Sequence, residues 1–200
     1  MSLMHRLKEH CHSYHMQIRE SKYAAKIMTH ELTQEEYIEG LLLNYLFHRT
    51  IERGIEEHLP NEWKEQINWS QRKKAEYVKN DLCSLGQERL LEKLVMHVDQ
   101  LPFSIQSAEE ALGALYVSEG TAIGGAVIKK NLLKIDWVMQ QSVSISFYGC
   151  YGKQLSSMWK QFIEFLNEVE VTQREVITKA RETFIFYNCL KKALPSIRPH

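Results

Sequence analysis

The sequence predicts an all-α protein, a single domain over 1–200 built as a bundle of about eight helices. Three observations predict it. Apolar residues recur at three- and four-residue spacing through most of the chain. Thr33 with Glu36, and Ser107 with Glu110, stand where two such apolar runs begin. In each pair the hydroxyl and the carboxylate can satisfy backbone N–H groups that a first helical turn leaves free. Nine Gly and four Pro are too few for the many tight turns of a sandwich or barrel.

The elements follow in order. Leu3, Leu7, Cys11, Tyr14, His15 and Ile18 line one face of a first helix. Behind Thr33, the residues Tyr37, Ile38, Leu41, Leu42, Tyr45 and Leu46 carry a second helix on towards Leu59, where Pro60 ends it. Ser70 is the expected cap of a helix running to Leu85, with Gly86 as its stop. A periodic segment extends from Gln87 to His97. The helix capped by Ser107 holds Leu112, Leu115, Tyr116 and Val117 and runs through a glycine cluster to Leu133. Helices over Tyr151–Asn167 and Thr172–Leu194 complete the set. Ser142–Phe147 alternates like a strand, but it has no second strand to pair with and reads as an extended connection.

Composition narrows the function. Lys+Arg and Asp+Glu number 25 each, so the chain has no general attraction for polyanions and no nucleic-acid partner is expected. Cys11, Cys83, Cys150 and Cys189 are scattered, which argues against a disulfide framework or a cysteine zinc site. The first fifteen residues carry His, Arg, Lys and Glu where an export signal needs an apolar run. The most apolar stretch, 111–128, is interrupted by Glu119 and by glycines and reads as too short and too polar for a membrane span. A cytoplasmic monomer is the expectation.

Two features suggest a site. Gly120, Gly124 and Gly125 fall within six residues of a pattern that is otherwise helical. Each glycine costs a helix interior about 1 kcal/mol relative to Ala, so something else is gained there. Close packing against another helix and close approach of a flat ligand both suit a helix face without side chains, and the pattern leaves both open. The second feature is His5, His10, His12 and His15 in the first helix. A solvated polar face, a site for zinc or iron, and a single axial ligand to haem all remain possible readings.

Taken together, several segments resemble the haem oxygenases, especially the short bacterial kind that makes biliverdin. Leu7-Lys8-Glu9 followed by His15 is similar to that family's first helix. Asp81-Leu82-x-x-Leu85-Gly86 resembles its D-L-x-x-L-G helix end. Gly113-x-x-Tyr116-Val-x-Glu119-Gly120-Thr121-x-x-Gly124-Gly125 is similar to its distal-helix signature, with Thr121 in place of the usual Ser. Phe147-Tyr148-x-x-Tyr151-Gly152 with Trp159 and Phe162, and Ala180-Arg181-Glu182-x-Phe184-x-Phe186-Tyr187, resemble two later passages.

The resemblance implies a haem-oxygenase-like bundle with haem b, both substrate and cofactor, between the first (proximal) helix and a Gly-kinked distal helix. It implies His15 as the proximal ligand of the haem iron, Lys8 and Tyr116 as partners of the propionates, and the Gly120 and Gly124 backbone as the distal, catalytic wall. Thr121 and Gly125 belong to that wall, and Lys74, Phe184 and Tyr187 are expected at the haem edge. It implies O₂ and an external electron donor, a reductase or a ferredoxin, and the products biliverdin, Fe²⁺ and CO. Arg19 stands one turn after His15 where several relatives carry an acid, so a backbone carbonyl is the expected partner of the ligand ring. Two alternatives remain: a haem carrier or sensor that does not degrade its ligand, and a helical relative that has lost haem.

Overall fold

The computed structural model describes residues 2–19, 22–98 and 101–197. Among them are ten α-helices: α1 (Leu3–Arg19), α2 (Lys22–Thr29), α3 (Gln34–His58), α4 (Asn61–Gln66), α5 (Ala75–Ser84), α6 (Glu88–Val98), α7 (Ala108–Leu132), α8 (Asp136–Gln141), α9 (Leu155–Glu168) and α10 (Gln173–Ile197). Short 3₁₀ turns occupy Trp69–Arg72, Phe147–Gly149 and Gly152–Gln154, and no strand forms among the described residues. The all-helical expectation stands. Its count of about eight misses the short α2, α4 and α8, of which α4 and α8 span six residues each and are too brief to show periodicity.

Both capping signatures act, in different ways. Thr33 and Glu36 form a full reciprocal capping box at α3. At α7 the Ser107 hydroxyl accepts from the Glu110 N–H, but the Glu110 carboxylate reaches past it to accept from the Gln106 N–H. The expected Ser70 cap is not used. Residues 69–72 form a 3₁₀ turn, and α5 starts only after Lys74. Glu52, from the middle of α3, closes that start, because its Oε1 accepts from the N–H groups of Lys74 (2.5 Å) and Ala75 (3.0 Å). A carboxylate distant in sequence thus replaces the local hydroxyl. Gly86 ends the passage as expected, with φ of 69° just beyond the α5 cap.

At the centre α7 packs most extensively on α10 and also against α3. Every residue from Ala111 to Glu119 is buried, as suits a helix enclosed on all sides. By length and composition α7 does meet the test for a membrane span, with mean hydropathy 1.4, contrary to the expectation for this stretch. Yet 61% of that window is buried inside the protein, where α7 serves as the core helix. Gly113 sets the contact with α10: a Cβ there would lie 2.9 Å from the Ala180 backbone nitrogen and closer still to the Val176 carbonyl. α1 runs parallel to α10. Arg6 donates to Gln173 (3.0 Å) near one end, and Asn188 donates to Gln17 (3.4 Å) near the other.

The Ser142–Phe147 connection forms no strand, but it is not extended throughout as expected: Ser142 is left-handed (φ 51°), Ser146 is helical (φ −75°, ψ −36°) and Phe147 opens a 3₁₀ turn, because a single buried acid gathers its donors. Asp81 accepts from the Ser144 hydroxyl (2.7 Å), the Ser146 hydroxyl and N–H (2.7 and 2.8 Å) and the Phe147 N–H (2.9 Å). This anchorage lays the Tyr148 backbone against Gly125 of α7. Cys11 is fully buried as a small apolar residue, and burial pushes its thiol up to about 11.

Candidate functional site

Four of the expected site residues, from three helices, come together. His15 is half-buried near the end of α1, and its Nε2 shares a 3.2 Å hydrogen bond with the Tyr116 hydroxyl of α7. The Phe184 ring of α10 packs edge-on to the imidazole, with centroids 4.6 Å apart. Gly120 lies one helical turn beyond Tyr116, and a Cβ at Gly120 would stand 3.4 Å from His15 Cε1. The ring therefore packs directly on the helix surface, where an alanine methyl would just touch it. Burial raises the Tyr116 phenol above its ordinary range, so it stays protonated and able to donate.

The remaining expected residues distribute differently. Gly124 is exposed and has no atom within 4 Å of where its Cβ would be, so it extends the glycine face into open space. Gly125 points away: its missing side chain makes room for Tyr148, whose carbonyl would be 3.1 Å from a Cβ. The packing reading thus holds for Gly113 and Gly125, while Gly120 lies against the His15 ring and Gly124 faces open space. The Thr121 hydroxyl turns back on its own helix and donates to the Ser118 carbonyl (2.7 Å). Lys8 is exposed on α1, about two turns before His15. Tyr187 packs edge-on to Phe47 at 5.1 Å and bonds to Asn44, and burial pushes its phenol up to about 12. The Arg19 side chain lies outside the described residues.

Lys74 requires correction. It is fully buried, and its ammonium donates inward to Glu119 Oε1 (2.7 Å), to the hydroxyls of Ser118 and Tyr151 (3.2 Å each) and to the Arg72 carbonyl (3.2 Å). Burial, the largest single influence, would lower its pKa, but Glu119, with Tyr151 and Cys150 beside it, outweighs this and holds it above its ordinary value. A lysine with all its donors engaged in the interior is not available at a ligand edge.

Sequence reasoning passed over two buried residues beside the site. Arg72 is fully buried, donating to Glu119 Oε2 (2.5 Å) and to the Ile67 (2.5 Å) and Met158 (3.0 Å) carbonyls. His48 of α3 is fully buried, with Nδ1 3.4 Å from the Ser118 hydroxyl and no hydrogen-bond partner at Nε2. Desolvation, and then the Lys74 ammonium, push its pKa well below 6.5, so it is neutral. An Arg-Lys-Lys run and a His inside an apolar helix gave no sign of this. The one legible sign is Glu119, a carboxylate that interrupts the most apolar stretch of the sequence.

Among the described residues no three His, Cys, Asp or Glu side chains cluster closely enough to hold a metal ion. His15 is thus placed as a single imidazole facing a glycine-surfaced helix, with an aromatic flank and one phenolic donor. The donor set, one imidazole nitrogen and a side-chain-free helix face, has the chemistry for a planar ligand carrying its own metal, but His15 Nε2 is engaged by Tyr116 and the ring lies directly on Gly120, so such a ligand would have to part α1 from α7.

Comparison with known proteins yields one family model, described as "Heme oxygenase", which matches residues 1–192. No curated relative matches the chain. Two solved structures share the fold. The NO- and CO-bound heme oxygenase from Neisseria meningitidis has a TM-score of 0.68 at 22% identity, with 97% of this chain and 92% of that one covered. The heme oxygenase from Leptospira interrogans has a TM-score of 0.73 at 17% identity, with 96% of this chain and 98% of that one covered.

Proposed function

This chain belongs to the haem oxygenase family, and from that premise we propose that it opens haem to biliverdin, Fe²⁺ and CO, with His15 as the iron ligand. Its class is that of a haem-degrading oxidoreductase. The observation that carries the residue assignment is the meeting of His15 with Gly120, an imidazole against helix backbone at 3.4 Å from the position a side chain would take.

Bound haem supplies the iron that activates O₂ and the porphyrin carbon that is oxidised, with electrons from an external reductase or ferredoxin. The protein's residues do the rest. His15 offers a neutral nitrogen rather than a thiolate, and so gives modest electron donation to iron. Gly120 and Gly124 would present backbone and no acidic side chain to the bound ligand, so neither would supply a proton there. Phe184 limits how far the His15 ring can turn, because the two rings pack edge to plane. The Tyr116 phenol, which engages His15 Nε2 here, would be the residue to hold a propionate if that nitrogen were to ligate the iron. Lys8 serves the other carboxylate from the exposed side of α1. We further propose a cytoplasmic monomer.

The test is a hemin titration followed by a reductant in air, with catalase present to remove free peroxide. Loss of the Soret band with growth of a red-absorbing verdin band is the expected result. A Soret band that forms on titration and survives the reductant indicates a haem carrier or sensor and overturns the enzymatic reading.

A further inference from the structure

Arg72, Lys74, Glu119 and Tyr151 form a buried ionic cluster with no part in the chemistry above. Glu119 is 1% exposed and receives a bond from each of the other three: Arg72 Nη1 at 2.5 Å, Lys74 Nζ at 2.7 Å and the Tyr151 hydroxyl at 2.6 Å. The three donors come from two separate places: Arg72 and Lys74 from the passage that leads into α5, and Tyr151 from the turn before α9. Lys74 also holds the Ser118 hydroxyl (3.2 Å), and Tyr151 packs with Ala122 and Met158. The clamp thus grips α7 at residues 118, 119 and 122, on both sides of Gly120.

A helix normally takes its register from side chains that lock into its neighbours. On its site face α7 has Tyr116, but beyond it Gly120 and Gly124 present no side chain to lock the helix. A slip of one residue moves a helix about 1.5 Å along its axis and turns it about 100°. That would replace Gly120 with a side chain against the His15 ring. Fully buried ion clusters contribute little net stability, and their best-attested use is to select one arrangement over its neighbours.

We propose that Glu119 is a positioning residue: clamped by Arg72, Lys74 and Tyr151, it fixes the rotation and height of α7 so that Gly120 faces His15. The inference rests on the functional reading above for its purpose, but the register itself is measurable without haem.

The test compares Glu119→Asp, which keeps the charge and shortens the reach, with Tyr151→Phe, which removes one donor and keeps both ion pairs. Glu110→Gln is the control. It breaks another ion pair of the same helix, to Lys179 at 3.0 Å, nine residues earlier. In the haem-free proteins the nuclear Overhauser contact between His15 Hε1 and Gly120 Hα should weaken in both clamp variants and persist in the control. With hemin, both clamp variants should show a shifted Soret maximum and about tenfold weaker binding, equivalent to roughly 1.4 kcal/mol. Clamp variants that lose Tm but keep the wild-type contact, Soret maximum and affinity would show the cluster to be merely structural and overturn the proposal. If the wild-type protein takes up no hemin, the functional reading fails, and the haem-free contact alone decides the clamp.

Discussion

His48 shows how a single buried group makes stability depend on pH. Its imidazole is neutral in the fold, because burial and the Lys74 ammonium hold its pKa well below 6.5. In the unfolded chain it protonates near its ordinary value. Below about pH 6.5 the unfolded state therefore binds the extra proton, and the stability His48 permits at neutral pH is lost as pH falls. Glu52 acts in the opposite sense. Desolvation raises its pKa, so its contribution is present at low pH and lost as pH rises through the raised value. Comparison with a variant isolates His48. Urea unfolding of wild type and His48→Asn should show the wild type losing up to ~1.4 kcal/mol per pH unit relative to the variant below pH 6.5. Parallel pH profiles would show that His48 protonates without cost in the fold. Neither residue advertised this role in the sequence. His48 sits in an apolar run, and Glu52 caps a helix that begins 23 residues later, a long-range contact that no local pattern encodes.

At the scale of the element, the glycines of α7 divide by what lies opposite them. Gly113 abuts the backbone of α10, where neither partner can yield, whereas Gly124 faces open space. Gly113→Ala should cost about 1–3 kcal/mol or more through overpacking, read as a lowered Tm. Gly124→Ala should leave the haem-free protein unharmed or gain up to about 1 kcal/mol from helix propensity, while weakening hemin binding if Gly124 forms part of the distal wall. Equal loss of Tm in the two variants would contradict the division. Sequence reading identified the cluster but could not sort it, since packing and ligand contact leave the same signature. The facing atoms are what separate Gly113 and Gly125 from Gly120 and Gly124. Capping was legible for the same reason that Ser70 misled. Thr33 and Ser107 act within three residues of their partners, while the start of α5 depends on Glu52.

Over the whole molecule, what was legible was set by the range of the interactions. The long helices α1, α3, α9 and α10 bury a periodic apolar face that the sequence displays directly, while α7 shows itself by its continuous apolar run. The meeting of α1, α7 and α10 at His15, Tyr116, Gly120 and Phe184 follows from packing between segments up to 169 residues apart, and only the resemblance to a family linked them beforehand. The same resemblance assigned Lys74 to a ligand edge, and burial of its ammonium against Glu119 overturns that. The account stands or falls on whether His15 holds haem. Hemin titrated into wild-type protein and into His15→Ala, followed by the Soret band, measures this directly. The account predicts a saturable one-to-one Soret complex for the wild type, and for His15→Ala either its loss or a shifted spectrum that exogenous imidazole restores. A His15→Ala complex with wild-type spectrum and affinity would contradict it.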